Sequence, residues 1–373
     1  MSVLARTDTS LLGRWWWTVD RWTLFAVGAL IGFGYVMMLA ASPAVAERIG
    51  QSRDLLILKQ VGFLALAGVI VVATSVMSPR NIRRLALIGS AVALLATTVT
   101  LVHGVEIKGA RRWLALPGLS IQPSEFLKPC FAVLTAWLIA EGRRSRQFPG
   151  RAIALALLAP VLLLLKAQPD IGMLTVILAV FMAQLFVAGT NLLLVAIGVA
   201  AMGAAGVGAY FLFPHVQSRV ARFLDPAVGD HYQVTTALQA FGNGGLFGRG
   251  PGEGRVKDVL PDAHADFVFA VTGEEFGMLV CMMVLGVFAF IVTRGLLRLR
   301  DENDLFVVLA AAGLVTSFGL QAFVNMASSL HLIPTKGMTL PFISYGGSSL
   351  LAVALGMGMF LALTRRRNHG DVP

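Results

Sequence analysis

The chain has 373 residues, 57% of them hydrophobic and only 13% charged, with a mean hydropathy of +0.77. A soluble domain would be roughly half apolar and about a quarter charged. These values exclude an ordinary soluble globule and indicate a polytopic membrane protein built from apolar runs of about twenty residues.

The formal net charge of +10 sits in short tracts between those runs, such as Arg80/Arg83/Arg84, Arg143/Arg144/Arg146 and Arg365/Arg366/Arg367. Such placement is the topological bias of cytoplasmic loops, so no nucleic-acid partner is expected. In chain order, Trp15, Trp16, Trp17 and Trp22 read as an interfacial aromatic belt before the first run. That run is long enough to span and lacks a small-residue cleavage pattern, so no cleavable signal peptide is expected. Ten spans follow, at about 22–41, 58–77, 85–102, 124–141, 151–166, 171–188, 191–213, 267–293, 304–330 and 348–364. The expected fold class is therefore all-α: ten transmembrane helices with a large loop, about 214–266, between the seventh and eighth.

An even count puts both termini on one side. The segments on that side carry the greater share of Lys and Arg, so both termini are expected to be cytoplasmic and the large loop periplasmic. The domains are then a cytoplasmic segment 1–21, a membrane domain 22–364 and a tail 365–373. Cys130 and Cys281 lie inside apolar runs and read as packing residues, not as a disulfide or metal site. Gly28/Gly32, Gly203/Gly206 and Gly273/Gly277 have the spacing of close helix packing. No internal repeat is visible.

Polar residues in this setting need a partner, a wet cavity or a nearby interface, because a charge at the bilayer centre costs about 2.5–3.5 kcal/mol. In "ARRWLALPGLSIQPSEFLKP", Glu125 and Lys128 share a helix face and can pair, with Ser124 as the expected cap. Lys108, Arg111 and Arg112 lie just before them in a loop. They suit a phosphate or pyrophosphate head group, or equally are ordinary lipid-facing cations. In "KAQPDIGM", Asp170 follows a proline and either caps the next helix or acts chemically. "AFGNGGLFGRGPGEGRVKD" holds seven glycines between Gly242 and Gly254 but matches no nucleotide-binding pattern. It reads as a backbone that turns sharply near the membrane surface.

"KDVLPDAHADFVFA" places Asp258, Asp262 and Asp266 four apart, with His264 among them, but Pro261 interrupts any regular helix through them. Spacing alone favours Asp266 as N-cap or first-turn acid of the eighth span. A metal site from Asp262, His264 and Asp266 is a weak alternative. Glu274 and Glu275 follow on the same helix, with Glu274 nearer the Asp266 face. Finally, "LIPTKGMTLPFISYGGSS" is a compact loop of hydroxyls, including Ser344, around the single charge of Lys336. It reads as a structural turn or a phosphate-contacting loop.

Taken together and in this order, "GARRWLALPGLSIQPSEFLKP", "QPDIG", "YQVTTALQAFGNGGLFGRG", "LPDAHADFVFAVTGEEFG" and "PTKGMTLPFISYGGSS" resemble the SEDS family of polytopic bacterial cell-wall enzymes. The resemblance covers about 20–365, and "PTKGMTLP" is similar to the family's division branch more than to its elongation branch. It implies a peptidoglycan glycosyltransferase that polymerises lipid II on the periplasmic face of the inner membrane, at the septum. The family's essential aspartate falls on Asp266, in its H-T-D-F motif, and a second acidic position falls on Asp258. The Glu and Lys of its Q-P-S-E-x-x-K motif fall on Glu125 and Lys128. The chain departs at Ala265, where the family has Thr, and at Gln168, where Glu is common.

The resemblance further implies Asp266 as general base toward the 4-hydroxyl of the acceptor GlcNAc. The leaving pyrophosphate would be stabilised by Arg111, Arg112, Lys128 and Lys336, or by a divalent cation such as Mg or Mn. Glu125, Asp170, Asp258, Glu274 and Ser344 would complete the substrate-binding set. No bound cofactor is otherwise expected. The implied partners are a class B penicillin-binding transpeptidase and other divisome proteins. Two rival functions stand beside it: a lipid II flippase, with Glu125, Lys128, Glu274 and Glu275 lining a path, and a non-enzymatic divisome scaffold.

Overall fold

The computed structural model describes residues 10–49, 52–107, 110–116, 119–224, 232–334 and 337–366. Lys108 and Lys336 therefore lie outside the described residues. The helices are α1 (Leu11–Thr18), α2 (Arg21–Ile49), α3 (Arg53–Ser75), α4 (Pro79–His103), α5 (Pro123–Arg144), α6 (Gly150–Ala167) and α7 (Ile171–Val187). They continue with α8 (Leu192–Leu212), α9 (Pro214–Leu224), α10 (Tyr232–Gly244), α11 (Val256–Val259), α12 (Val268–Arg298), α13 (Leu305–Ser329) and α14 (Gly347–Leu363). Seven of these, α2, α3, α4, α6, α8, α12 and α13, are long and apolar enough to cross a membrane, and α7 and α14 are shorter apolar helices. The tenth expected span is α5, which carries Glu125 and Lys128 in its first turns.

Burial separates centre from rim. The apolar window of α13 is 61% buried inside the protein and that of α8 only 6%. The centre is α13, with α5, α7, α12 and α14 around it. Exposed Leu, Ile and Val on α8 and α4 are at home in lipid, where the solvent is itself apolar.

The described chain ends meet. Arg366 N–H donates to the Thr18 carbonyl (3.0 Å) and Arg365 Nε to Thr18 Oγ1 (3.1 Å). Beside them the buried Asp20 carboxylate accepts from Arg294 through both oxygens (2.8 and 2.9 Å), and Arg298 lies 3.2 Å away. Burial pushes the Asp20 carboxyl upward, but the Arg294 and Thr23 hydrogen bonds and the two guanidinium charges outweigh it and hold its pKa below the ordinary 3.8. The aromatic-belt reading needs correction at Trp15: it is buried, and its indole N–H donates to Ser75 Oγ (2.8 Å). Trp22 remains exposed.

The opposite end holds what a loop-only reading misses. An antiparallel sheet lies there, β1 (Val105–Ile107), β2 (Ala110–Leu116) and β3 (Leu119–Ile121), in that order. The long segment 214–266 contains α9, α10 and α11, and α10 packs on α12. Two of the three glycine pairs do not mediate close packing: added methyl groups at Gly28, Gly32, Gly203 or Gly206 would meet nothing within 4 Å.

Gly277 breaks α12, with φ 79° and ψ 178°. A break frees carbonyls before it and amides after it, which cannot stay unpaired in a membrane. The glycine-rich segment supplies the partners. Arg249 and Gly250 N–H donate to the Glu274 and Glu275 carbonyls (2.9 and 3.0 Å), and Met278 and Leu279 N–H donate to the Gly245 and Leu246 carbonyls (2.9 and 3.2 Å). Close approach explains the glycines here: a methyl group at Gly248 would lie 2.2 Å from the Glu275 carbonyl oxygen.

Candidate active site

The turn 262–267 leads into α12. Asp262 takes a left-handed conformation (φ 53°), and its carbonyl accepts from the amides of Ala265 and Asp266, each at 3.0 Å. Phe267 occupies the N-cap position, without a side-chain cap bond, and the first turn of α12 has no acid. The capping role that spacing favours for Asp266 is therefore not realised. The residue stands just before the helix, half-buried, and its backbone is held from elsewhere.

That hold comes from the C-terminal part of the chain. Three consecutive carbonyls are captured: His264 by Tyr345 N–H (2.8 Å), Ala265 by Ser344 Oγ (2.6 Å) and Asp266 by Asn325 Nδ2 (2.9 Å). Ser344 Oγ also accepts from Leu340 N–H (2.7 Å), so its hydroxyl ties the loop 337–346 to the turn. The Asp266 carboxylate lies against the same loop, where a methyl group at Gly337 would be 3.2 Å from Oδ2. Gly337 has φ +61°, so a side chain there would be strained as well as crowded.

The loop leads on to the buried cation. Gln321 Nε2 donates to the Thr339 carbonyl and Oγ1 (3.1 and 3.2 Å), and Gln321 Oε1 accepts from Lys128 Nζ (2.7 Å). Lys128 pairs with Glu125 Oε2 at 2.8 Å, with side chains only 4% and 13% exposed. The expected pair is thus formed, but Ser124 is not its cap. Gln122 holds the N-cap position of α5.

Asp170 caps α7 by accepting from Met173 N–H (3.1 Å) and faces Arg112 at 3.4 Å. Arg112 also donates to the Gln168 and Pro169 carbonyls (2.9 and 2.6 Å), so its guanidinium holds the Gln-Pro-Asp turn. Arg111 points the other way, because neighbours on a strand alternate faces. It is half exposed and lies 3.4 Å from Glu106 on β1. The start of α7 borders the site: a methyl group at Gly172 would lie 3.8 Å from Asp170 Oδ1 and 3.7 Å from the sulfur of Met338.

The structure therefore gathers Asp266, Ser344, Lys128, Glu125, Asp170 and Arg112 around one loop. Glu274 lies elsewhere. It is fully buried, accepts from Val256 N–H (2.9 Å) and Asn243 Nδ2 (3.4 Å), and lies 3.9 Å from Arg249. Its place is under the glycine-rich segment, as is that of Glu275, which accepts from Lys257 Nζ (2.7 Å) and Gly252 N–H (3.2 Å). Asp258 is exposed on α11.

Sequence reasoning missed Gln321 and Asn325, which touch the cation and the aspartate turn. Their signal is faint but real: two amides four apart, one face of a helix, inside an apolar run.

The donors around Asp266 do not form a cation cage. The carbonyls of 264–266 are engaged, and among the described residues no group of three His, Cys, Asp or Glu stands together as a ligand set.

A bundle of apolar helices with a buried ion pair and a backbone-locked aspartate at one end defines a polytopic membrane protein with a polar site at its rim. The chain belongs to the family of cell cycle proteins that takes in FtsW, RodA and SpoVE, whose family model matches residues 21–369. It is 46% identical to a Caulobacter vibrioides protein named probable peptidoglycan glycosyltransferase FtsW, over 97% of this chain and 93% of that one. A protein of the same name from Halomonas elongata is 36% identical over 100% and 98%. Among solved structures, one described as "Structural coordination of polymerization and crosslinking by a peptidoglycan synthase complex" superposes with TM-score 0.77, at 28% identity over 93% of this chain and 97% of that one. The rod shape determining protein RodA of Thermus thermophilus superposes with TM-score 0.69 at 28% identity, over 94% and 97%.

Proposed function

We propose that this chain is a peptidoglycan glycosyltransferase of the division type that polymerises lipid II, with Asp266 as general base. The observation that carries the reading is the setting of Asp266: backbone locked by captured carbonyls, carboxylate at the loop that leads to Lys128. The names of its relatives support the activity.

In this reading the 4-hydroxyl of the acceptor GlcNAc gives its proton to Asp266 as its oxygen attacks the anomeric carbon of the lipid-linked donor. The new glycosidic C–O bond forms as the bond to the pyrophosphate breaks, and the α-linked donor becomes a β-1,4 product. A base within about 3 Å, or one water away, is what a weak hydroxyl nucleophile needs. Arg111, exposed on the strand, and Lys336 are the cations assigned to the leaving pyrophosphate. Arg112, Asp170, Lys128 and Glu125 shape the wall, Asp258 lies at the rim, and Glu274 and Ser344 position backbone.

Ten spans, α2 to α8 and α12 to α14, put both termini in the cytoplasm and the site in the periplasm of the inner membrane, as the basic tracts favour. The domains are then 1–21, 22–364 and 365–373, and the septum is the place of action. A class B penicillin-binding transpeptidase and other divisome proteins are the proposed partners. The description of a similar structure as a synthase complex coordinating polymerisation and crosslinking supports the first. A flippase path through Glu274 and Glu275 has less support, because both carboxylates are already engaged by the loop above them. The test is reconstitution with labelled lipid II, reading polymer length and transbilayer movement together. Polymer without movement is expected, lost in Asp266→Asn. Polymer from that variant, or movement without polymer, would overturn the reading.

A further inference from the structure

Helix α12 does not fix Asp266: its N-cap is Phe267 and carries no side-chain cap bond. The aspartate is steadied instead from α13. Asn325 is 1% exposed, and its amide nitrogen donates to two carbonyls, Asp266 (2.9 Å) and Met338 (2.6 Å). Both neighbours are acceptors, so only the NH2 edge of the amide fits between them. One turn earlier Gln321 repeats the device on the next carbonyl, Thr339, and its oxygen accepts a hydrogen bond from Lys128 Nζ. The segment Gly337–Met338, which Asn325 grips, is the one that lies against the Asp266 carboxylate.

We infer that Asn325 is a positioning residue for the transfer reaction, pinning the Asp266 backbone and the 337–339 loop to one point on α13. The inference rests on the reading of Asp266 as base. The two amides make α13 a ruler: Asn325 sets Asp266, Gln321 sets Lys128, and successive carbonyls 338 and 339 register one against the other. An apolar residue of similar size would leave α13 helical and buried but release both carbonyls. A displacement of about 1 Å at a reacting group can cost about 100-fold in rate.

The test uses the full chain in proteoliposomes with labelled lipid II. Asn325→Ala should lower kcat about 100-fold with KM within about threefold, and should speed amide exchange at 340–345 while the transmembrane helices stay protected. Asn325→Asp covers the case in which the alanine variant fails to fold. Its carboxyl can donate only when protonated, so its activity relative to wild type should rise as pH falls from about 8 to about 6. The titratable groups on this face are Asp266 and, through Gln321, Lys128 with its partner Glu125; the wild type carries all three, so a change of the ratio with pH reports the new carboxyl and its coupling to them. Asp266→Asn is measured in parallel. If it is inactive while Asn325→Ala keeps wild-type kcat, or if the Asn325→Asp ratio is flat with pH, the positioning role is wrong and the base stands. If Asp266→Asn is active, the base assignment falls and the positioning role with it.

Discussion

Lys257 Nζ lies 2.7 Å from Glu275 Oε1, with side chains 6% and 0% exposed, at the level where α12 breaks. The pair bolts the glycine-rich segment into the gap. Removing one partner of a buried pair leaves an uncompensated charge, at a cost of about 3–5 kcal/mol. Lys257→Met should therefore lower the unfolding midpoint in detergent sharply. Adding Glu275→Gln should recover part of the loss, because a neutral amide oxygen can still accept from Gly252.

The glycines of that segment divide into two kinds. Gly248 has φ +81° and a carbonyl oxygen 2.2 Å from where a methyl group would stand, whereas Gly242, inside α10, has nothing within 4 Å. Gly248→Ala should destabilise by more than about 2 kcal/mol, from left-handed strain and collision together. Gly242→Ala should be neutral or stabilise by up to about 1 kcal/mol. Thermal unfolding of the two variants side by side checks this, and equal midpoints would refute the helix-break account.

Arg111 and Arg112 should separate cleanly. Arg112→Ala removes the fork that holds Gln168, Pro169 and Asp170, so both stability and turnover should drop, and Lys should not restore them. Arg111 pairs only at the surface with Glu106, a contact worth about 0–1 kcal/mol. Arg111→Ala should leave the unfolding midpoint unchanged and raise KM for lipid II. A fall in midpoint with no change in KM would count against its assignment to the pyrophosphate.

Asp20 gives the chain an acid limb. Its pKa is lowered in the folded state, so its contribution to stability is full above the ordinary value of 3.8 and is lost as pH falls through the lowered one. Unfolding midpoints followed downward from about pH 5 should fall below about pH 4 in the wild type. Asp20→Asn should start lower and decline less. Parallel curves for the two proteins would remove Asp20 as the source.

The apolar helices were legible because length and hydropathy are enough to mark them, and the expected runs lie within about two residues of a helix at most ends. The sheet was not, because its strands are short and "ARRWLAL" does not alternate apolar with polar. Nor was the break at Gly277, which sits in an apolar run where a glycine normally signals packing. Asp266 shows the limit most plainly. Its local spacing spoke for a cap, which the helix does not use, and only the assembled motifs singled it out. Its restraints lie 59 residues away at Asn325 and 79 residues from Ala265 to Ser344, distances that no local pattern reports.

The bonds from Gly245 to Met278 and from Leu246 to Leu279 close the intervening chain on itself. Asp266 hangs inside that circuit. A single residue gained between Gly254 and Pro261 has nowhere to go, and would reach the carboxylate directly.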